Sequence, residues 1–417
     1  MRFDPNSAYA ATNVPASPAL NSSRPLHVLT LTPFFPSIEN EVGGCFVKEP
    51  LDSLAELGVA SSVIAVSPFH HGRKHAIPPA AAQWIRYPQL PGTLGLSSAG
   101  RLLFARLLPE VSRLHRARPI DVIHAHAALP CGHAASLLAR RLSIPYVVTV
   151  HGLDVFNSCY RTDVAARWRR RATIAVYRAA ATVICVSGKV QGILRDGMSS
   201  GVRSEIVYNG TDAELFLPAA PGTGSENEIL VVGNLIPSKG QELVLRALHR
   251  IAPDFPQMQC RIIGEGPDRA RLEALARELG VAHRVNFLGR KSRAEVADAM
   301  RRCSVFVLPS SNEGLGCVYL EAMSCAKPVI ACRGQGIDEI IEHGKNGWLI
   351  SAGDLDELAQ ALLTLLRSPD LASRIGSVAR ATVLNGLTLS AQAQRLAAIY
   401  RQALLLSAPE ATDRRQL

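Results

Sequence analysis

The feature that most constrains the fold of this chain is a series of short apolar strands that alternate with helical stretches. From Pro25 onward, "LHVLTLTPF", "ASSVIAVSP", "DVIHAHA", "PYVVTVHG", "TVICVSG" and "SEIVYNG" have the length and β-branched content of buried strands. Stretches such as "FVKEPLDSLAELG" and "GHAASLLARRL" have helical apolar spacing and lie between them. This alternation predicts parallel βαβ units with helices on both faces of the sheet.

A second series of the same kind follows a segment rich in Pro, Gly, Ala and Ser. Its strands are "EILVVGNL", "QCRIIGEG", "RVNFLG", "SVFVLPS", "PVIACRG" and "GWLIS". The sequence therefore predicts two doubly wound, Rossmann-like α/β domains. Since ligands of such folds bind beyond the carboxyl ends of the strands, we expect the domains to face a cleft. The predicted boundaries are a disordered lead (1–24), the first domain (25–215), a linker (216–228), the second domain (229–385), a helix packing back on the first domain (386–405) and a loose tail (406–417).

Composition narrows the class of protein. Hydrophobic residues make up 47% and charged residues 19% of the 417 residues, which is typical of a globular protein. No run of 18 apolar residues lacks a charge, which argues against a membrane-spanning helix, and the first residues lack the apolar core of a signal peptide. The nine cysteines are an odd number and include no C-x-x-C pair, so we expect reduced thiols in a cytoplasmic protein.

The net charge of +10 lies mostly in the first half of the chain, with dense patches at "ARWRRRA" and "RLHRARP". No nucleic-acid signature accompanies it, and aromatic residues are only 5%, so nucleic acid is not an expected partner. Each patch is equally compatible with a solvated helix face and with contact to an anionic membrane.

The stretch "SSNEGLGCVYLEAMSCAKPVI" places Glu313 and Glu321 on either side of a glycine-rich bend between an apolar strand and a helix. Glycines let the backbone approach a ligand, and the free N–H groups at a helix start favour an anion such as phosphate. Carboxylates repel phosphate but accept hydrogen bonds from sugar hydroxyls. A phosphate site flanked by carboxylates predicts a nucleotide sugar as ligand.

With these residues in view, the chain resembles the retaining GT-B glycosyltransferases of family 4, also called glycosyl transferases group 1. The resemblance covers about Pro25 to Leu405, and its strongest element is the E-x7-E motif from Glu313 to Glu321. Further matching segments, in the expected order, are "VTVHGLDVF", "VICVSG", "VYNGTD", "VGNLIPSKGQELVLRAL", "IIGEGPDRARLEALARELG", "RVNFLGR" and "IDEIIEHGKNGWLI". Within the family, "TPFFPS" followed by "VGGCFVKEP", together with "GLGCVYLEAM", is similar to bacterial enzymes of surface polysaccharide assembly.

The resemblance implies roles for individual residues. Glu321 would accept hydrogen bonds from the donor ribose, Glu313 would hold hydroxyls of the transferred sugar, and Lys239 would neutralise the leaving diphosphate. His151 would lie beside the donor sugar near the reacting carbon. Backbone N–H groups for the sugar and pyrophosphate would come from Gly314, Leu315, Gly316, Cys317 and Val318. The alternative for both glutamates and for the lysine is a capping or surface role, and the alternative for His151 is a structural histidine.

Other positions carry weaker implications. The family usually has an arginine after the glycine of "VVGN", and here Asn234 follows Gly233, so diphosphate stabilisation would rest more heavily on Lys239 and on helix N-termini. The base pocket would be lined by Gly264, Gly266 and Arg290. Gly43, Gly44 and Asp154 would lie near the diphosphate or the acceptor, although a plain turn and a capping role are the alternatives.

Two patterns resemble metal motifs, but no metal and no cofactor is expected. His124 and His126 share a strand face, yet no third ligand is near them in sequence. Asp354 and Asp356 in "GDLDEL" open a helical stretch, which favours helix capping.

The sequence thus predicts a metal-independent glycosyltransferase that uses a UDP- or GDP-linked sugar and a saccharide or lipid-linked acceptor. A cytoplasmic location with peripheral contact to the inner face of the membrane is a hypothesis. A nucleotide-sugar epimerase of the same fold and a non-catalytic nucleotide-sugar-binding protein remain alternatives. The donor, acceptor, pathway and oligomeric state are not specified.

Overall fold

The computed structural model describes residues 24–72, 74–75, 77, 82–89, 95–152, 164–197, 201–220 and 227–407. These residues form two compact units. Of the described residues, the first unit contains those up to Tyr208 and those from Gln392 onward, and the second contains Asn209–Ala391. Apart from Arg24, the predicted lead lies outside the described residues, as does the tail beyond Ser407.

The first unit is built on seven parallel strands in the order β3-β2-β1-β4-β5-β6-β7. Every residue of β4 and β5 is buried, as expected for strands that are covered by helices on both faces. The strands are β1 (Leu26–Thr32), β2 (Val59–Pro68), β3 (Gln83–Tyr87), β4 (Val122–His126), β5 (Tyr146–Val150), β6 (Thr182–Cys185) and β7 (Ser204–Ile206). The helices are α1 (Cys45–Lys48), α2 (Pro50–Glu56), α3 (Leu96–Ala117), α4 (His133–Leu142), α5 (Val164–Ala179) and α6 (Gly188–Gly197).

The second unit repeats this architecture with six parallel strands in the order β10-β9-β8-β11-β12-β13. Its strands are β8 (Glu228–Val232), β9 (Gln259–Ile263), β10 (Val285–Gly289), β11 (Val305–Val307), β12 (Val329–Cys332) and β13 (Trp348–Ile350). Its helices are α7 (Gln241–Ile251), α8 (Arg269–Glu278), α9 (Arg293–Arg302), α10 (Cys317–Ser324), α11 (Leu355–Leu366) and α12 (Pro369–Leu384), and a 3₁₀ turn spans Pro237–Lys239. Two doubly wound parallel sheets confirm the predicted fold class.

Local sequence signals account for the helix boundaries near the site. α9 begins with a capping box, in which the Ser292 side chain accepts from the Glu295 N–H and the Glu295 carboxylate accepts from the Ser292 N–H. α11 begins at Asp354, whose side chain accepts from the Glu357 N–H at 2.9 Å. The Asp354 carboxylate therefore caps a helix, which confirms that reading of "GDLDEL".

The last helix, α13 (Leu389–Ser407), contributes side chains to the core of the first unit. Tyr400 is 1% exposed and packs in one cluster with Val28, Val122 and Val147 of β1, β4 and β5. Its hydroxyl lies 2.8 Å from Nδ1 of His124. By their contacts, residues 209 to 217 belong to the second unit. One such contact runs from the Ser324 hydroxyl to the carbonyl of Phe216 at 2.8 Å.

Within the described residues, no helix combines the length and the apolar character needed to cross a membrane. The described cysteines are free thiols, and most of them are buried.

Replacing Tyr400 by Ala should destabilise the first unit by about 3 to 5 kcal/mol, because the change leaves a cavity in a fully buried core. Thermal and urea unfolding, followed by circular dichroism, would measure the loss. The matched control is Leu406→Ala on the same helix, where the side chain is 50% exposed and little change is expected. Equal stability of the two variants would contradict the packing described for α13.

Candidate active site

The second unit has a topological switch point between β8 and β11, because the chain proceeds outward from β8 in one direction and from β11 in the other. The two strands pair in parallel, with Ile229 beside Val305, so their following loops leave the same edge of the sheet. Ligands of doubly wound folds bind at this position. The loop after β8 carries Lys239, and the loop after β11 carries Glu313.

Close backbone contact holds these two loops together. Ser311 donates its N–H to the carbonyl of Ser238 at 2.9 Å. Gly240 has φ +72°, and a Cβ there would lie 2.4 Å from the carbonyl oxygen of Pro309. Only glycine therefore fits at residue 240, and the approach that it allows places Lys239 beside Glu313.

Lys239 and Glu313 form an ion pair between the lysine Nζ and the glutamate Oε2. The hydroxyl of Ser310 lies 3.2 Å from the same carboxylate oxygen, and the N–H of Glu313 donates to Oε1 of Gln335 at 2.9 Å. The side chains of the pair are 17% and 15% exposed. Both groups are therefore held in place and yet remain accessible to a ligand.

A third loop completes this edge of the sheet. Gly336, after β12, packs so closely on the glycine-rich bend that a Cβ there would lie 1.8 Å from the carbonyl oxygen of Gly314. The bend ends at Gly316, which has φ +87° and immediately precedes α10. Leu315 is buried, whereas Cys317 and Val318 in the first turn of α10 are half-buried. The start of α10 thus lies next to the Lys239–Glu313 pair in sequence and at the same sheet edge.

Glu321 lies in α10 and is 2% exposed. Its Oε1 accepts from the guanidinium of Arg293 at the start of α9, and that guanidinium lies 4.7 Å from the ring centre of Phe216. Among the described residues, Oε2 of Glu321 has no hydrogen-bond partner. The sequence predicted a hydroxyl acceptor at 321, but it gave no sign of the arginine, because the two residues are far apart in the chain and lie on different helices.

The predicted base-pocket residues also come together in the second unit. Arg290, after β10, forms a 3.0 Å ion pair with Glu265, which lies between Gly264 and Gly266. A Cβ at Gly264 would lie 2.0 Å from the carbonyl oxygen of Gly233, and one at Gly266 would lie 2.3 Å from that of Leu235. Asn234 is exposed, and its backbone carbonyl accepts from the Gln241 side chain at 2.9 Å.

In the first unit, the glycine loop after β1 meets the end of β5. His151 follows β5 and packs against Phe46, with ring centres 4.7 Å apart. Gly44 has φ +76°, and a Cβ there would lie 2.4 Å from the backbone of Phe34, so glycine is required for the turn before α1. A Cβ at Gly43 would lie 2.5 Å from the Asn40 side chain. Asp154 lies outside the described residues.

The structure thus places the predicted residues in two groups, one at the strand ends of each unit. Sequence reasoning missed several of their supporting contacts. Among these are the contacts of Gln335 and Gly336 with the glycine-rich bend. Both residues directly precede the matched segment "IDEII", and that position could have indicated a place near the site. In the described part of the chain, no group of three or more His, Cys, Asp or Glu side chains is arranged to hold a metal ion.

Comparison with solved structures places this architecture in the GT-B class. Sucrose-phosphate synthase from Thermosynechococcus elongatus superposes with a TM-score of 0.76 at 23% identity, covering 92% of this chain and 100% of that one. The Anabaena protein HepE, solved in complex with UDP-glucose, gives a TM-score of 0.70 at 22% identity, covering 89% and 98%.

The sequence comparisons identify the family. Residues 46–215 match the family model Glycosyltransferase Family 4, and residues 217–382 match Glycosyl transferases group 1. An uncharacterized glycosyltransferase of Methanocaldococcus jannaschii is 33% identical over 261 residues, which cover 62% of this chain and 68% of that protein. The chain therefore belongs to the family 4, or group 1, glycosyltransferases, which confirms the resemblance to that family.

Gly336→Ala should displace the glycine-rich bend, because its Cβ would overlap backbone atoms of Gly314 and Leu315. We expect a loss of about 1 to 3 kcal/mol in unfolding free energy, as for other overpacked sites, and faster hydrogen exchange at residues 313 to 318. Thermal unfolding and hydrogen-exchange mass spectrometry would measure both effects. In the control, Gly192→Ala, the Cβ meets nothing within 4 Å, and protection of the bend should be unchanged. Unchanged exchange in Gly336→Ala would contradict the close approach.

Proposed function

We propose that this glycosyltransferase transfers a sugar, with retention of configuration and without a metal, from a nucleotide diphosphate sugar to a saccharide or lipid-linked acceptor. The observation that carries the proposal is the Lys239–Glu313 pair at the switch point beside the start of α10. An ammonium suits a diphosphate, and a carboxylate suits sugar hydroxyls.

The pair explains how the site can hold opposite charges before the donor arrives. In this structure, Lys239 and Glu313 compensate each other's charge. On binding, the diphosphate would take the lysine ammonium, and the sugar hydroxyls would take the carboxylate. Each partner exchanges one interaction for another, so neither is left as a partly buried, uncompensated charge, which would be costly.

Glu321 would receive the ribose of the donor. Its Oε2 is a buried acceptor without a partner among the described residues, and such a group costs about 1 to 3 kcal/mol until a donor reaches it. Because Oε2 is covered, ribose binding would require a small shift of neighbouring side chains. Arg293, which binds Oε1, is 20% exposed. The turn that contains Gly264 and Gly266, with Arg290, would contact the base.

The charges that develop during sugar transfer determine which protein groups the reaction needs. Transfer builds positive charge on the anomeric carbon and negative charge on the departing diphosphate. Lys239 and the N–H groups at the start of α10 would stabilise the diphosphate. Asn234 contributes no charge where the family resemblance implies an arginine, so Lys239 is expected to bear most of this role. The acceptor hydroxyl would attack from the leaving-group face and pass its proton to the departing phosphate, so no separate base is required.

The donor nucleotide is proposed to be UDP or GDP, and the HepE complex with UDP-glucose supports a UDP-linked sugar. The surface-polysaccharide resemblance suggests exopolysaccharide, lipopolysaccharide or capsule assembly as the process. A thermal-shift panel of UDP- and GDP-sugars would identify the donor, because a ligand that binds the folded state stabilises it.

Lys239→Ala should lower transfer by about a hundredfold while leaving the chain folded, because one preorganised charge-stabilising group is typically worth about 3 kcal/mol. Glu321→Gln should lower transfer at limiting donor by about tenfold or more, because a hydrogen bond to a charged group is worth about 1.5 to 3 kcal/mol. Product formation from the identified donor, measured with and without acceptor, would test this. Lys345→Ala, whose side chain is 62% exposed, is the matched control. Near wild-type turnover in both site variants would remove the assignment. Donor consumption without acceptor would favour an epimerase, and donor binding without any turnover would favour a binding protein.

A lipid-linked acceptor would be reached through a basic face of the first unit. On α5, Trp168 is 56% exposed, and the neighbouring Arg167 and Arg171 are exposed. On α3, which packs against α5, Leu102 is 43% exposed. Exposed apolar side chains among cations are typical of surfaces that bind anionic bilayers peripherally. We therefore propose peripheral contact with the inner face of the membrane.

The double variant Arg167→Ala/Arg171→Ala should bind vesicles containing anionic lipid about thirtyfold more weakly, because each surface cation contributes about 1 kcal/mol. Vesicle co-sedimentation at low and raised salt would measure the change. The control is Arg250→Ala/Arg271→Ala, which removes two exposed arginines of the second unit. Absence of wild-type binding at low salt would contradict the membrane proposal.

A further inference from the structure

Two buried histidines of "IHAHA", His124 and His126, have no role in the proposed mechanism. His124 and His126 are adjacent on one face of β4, with ring centres 4.3 Å apart, and they are 3% and 6% exposed. The ring of His124 is held on both sides, by Thr149 Oγ1 at 2.7 Å and by the Tyr400 hydroxyl at 2.8 Å. His124 therefore belongs to the packing between β4, β5 and α13.

His126 instead contacts His151, the residue that the family resemblance places beside the donor sugar. Its Nδ1 lies 2.9 Å from Nε2 of His151, and the two ring planes are 14° apart. The rings of Phe34 and Phe46 pack against His151 from other sides, with centres 5.7 Å and 4.7 Å away. The His151 ring is thus confined by three neighbouring rings and bonded by one of them.

The uncharged state of both rings means that this hydrogen bond links their tautomers. Burial lowers the pKa of His151 to about 3 and that of His124 to about 3, and it lowers the pKa of His126 well below its usual range. At neutral pH each imidazole is therefore uncharged and carries one N–H. Of the two facing nitrogens, one must donate and the other accept, so the bond couples the tautomers of the two rings.

The backbone of Ala127, next to His126, is strained, and two hydrogen bonds hold it in that conformation. Ala127 has φ +67° and ψ +144°, a conformation that is essentially restricted to glycine and costs a side-chain-bearing residue about 1 to 3 kcal/mol. Its N–H donates to the carbonyl of Thr149 at 2.9 Å, and its carbonyl accepts from Gly132 at 3.0 Å. The end of β4, with His126, is therefore fixed against β5 directly before His151.

We propose that His126 is a positioning residue for His151: it occupies Nε2, so that Nδ1 is the only ring nitrogen left to contact the donor sugar, in a single tautomer. This inference rests on the proposed role of His151. His126 itself does not touch the donor. Its contribution is the orientation of the imidazole, which determines whether the sugar meets a hydrogen-bond donor or an acceptor.

The test compares two polar substitutions that place their amide differently. The side-chain amide of Asn places a polar atom near the position of Nδ1, so His126→Asn should keep the bond to His151. His126→Gln also satisfies the buried position but moves the polar atom by one bond length. We expect His126→Asn to retain most of the wild-type kcat, and His126→Gln to lower kcat by about tenfold or more through misorientation, with donor KM changed less. Tyr400→Phe, which alters only the contact to His124, is the control and should keep kcat.

A spectroscopic readout separates this role from a purely structural one. The ¹⁵N chemical shifts of the His151 ring report its tautomer directly. Wild type and His126→Asn should show one neutral tautomer of His151, and His126→Gln should show a mixture or the other tautomer. A wild-type spectrum with mixed tautomers would overturn the inference, as would a His126→Gln variant with unchanged spectrum or unchanged kcat. Unchanged turnover in His151→Ala would instead show that His151 lies outside the reaction, which is a failure of the proposed function.

Discussion

The proposed site depends on one ion pair, between Lys239 and Glu313. It exists because two loops that follow neighbouring parallel strands can approach within backbone contact, and Gly240 is the residue that permits the approach. The switch point of the sheet brings the loops to one edge, and the glycines bring their backbones together. Opposite charges held at partial exposure can then be separated by a ligand that is itself anionic at one end and rich in hydroxyls at the other.

Much of the fold and part of the site could be predicted from the sequence, for identifiable reasons. Strands such as β5 in "PYVVTVHG" are mostly apolar because helices cover both faces of a parallel sheet, and that composition is visible in the sequence. Lys239 and Glu313 lie in loops that follow strands, and Glu321 lies in the helix that follows the second of these loops. Because a doubly wound fold binds ligands at this edge, their positions followed from the order of the elements. Asp354 was recognisable as a cap because a helical pattern begins directly after it.

The remaining contacts could not be predicted, because they join residues that are distant in the chain. The pairing of Arg293 with Glu321 depends on how α9 packs beside α10, and apolar periodicity does not specify that register. The hydrogen bond between His126 and His151 depends on the alignment of β4 with β5 and on rotamers within a packed interior. The carbonyls of Leu215 and Phe216 accept hydrogen bonds from Arg301, Ser324 and Arg380, which are likewise distant from them in the chain.

The most direct test of the central claim is calorimetric binding of the nucleoside diphosphate and of the matching nucleotide sugar to wild type, Lys239→Ala and Glu313→Gln. If the pair opens to receive the donor, Lys239→Ala should lose affinity for both ligands. Glu313→Gln should lose affinity for the nucleotide sugar but bind the bare diphosphate at least as well as wild type, because the lysine is then released from its partner. Equal affinity of all three proteins for both ligands would contradict the account.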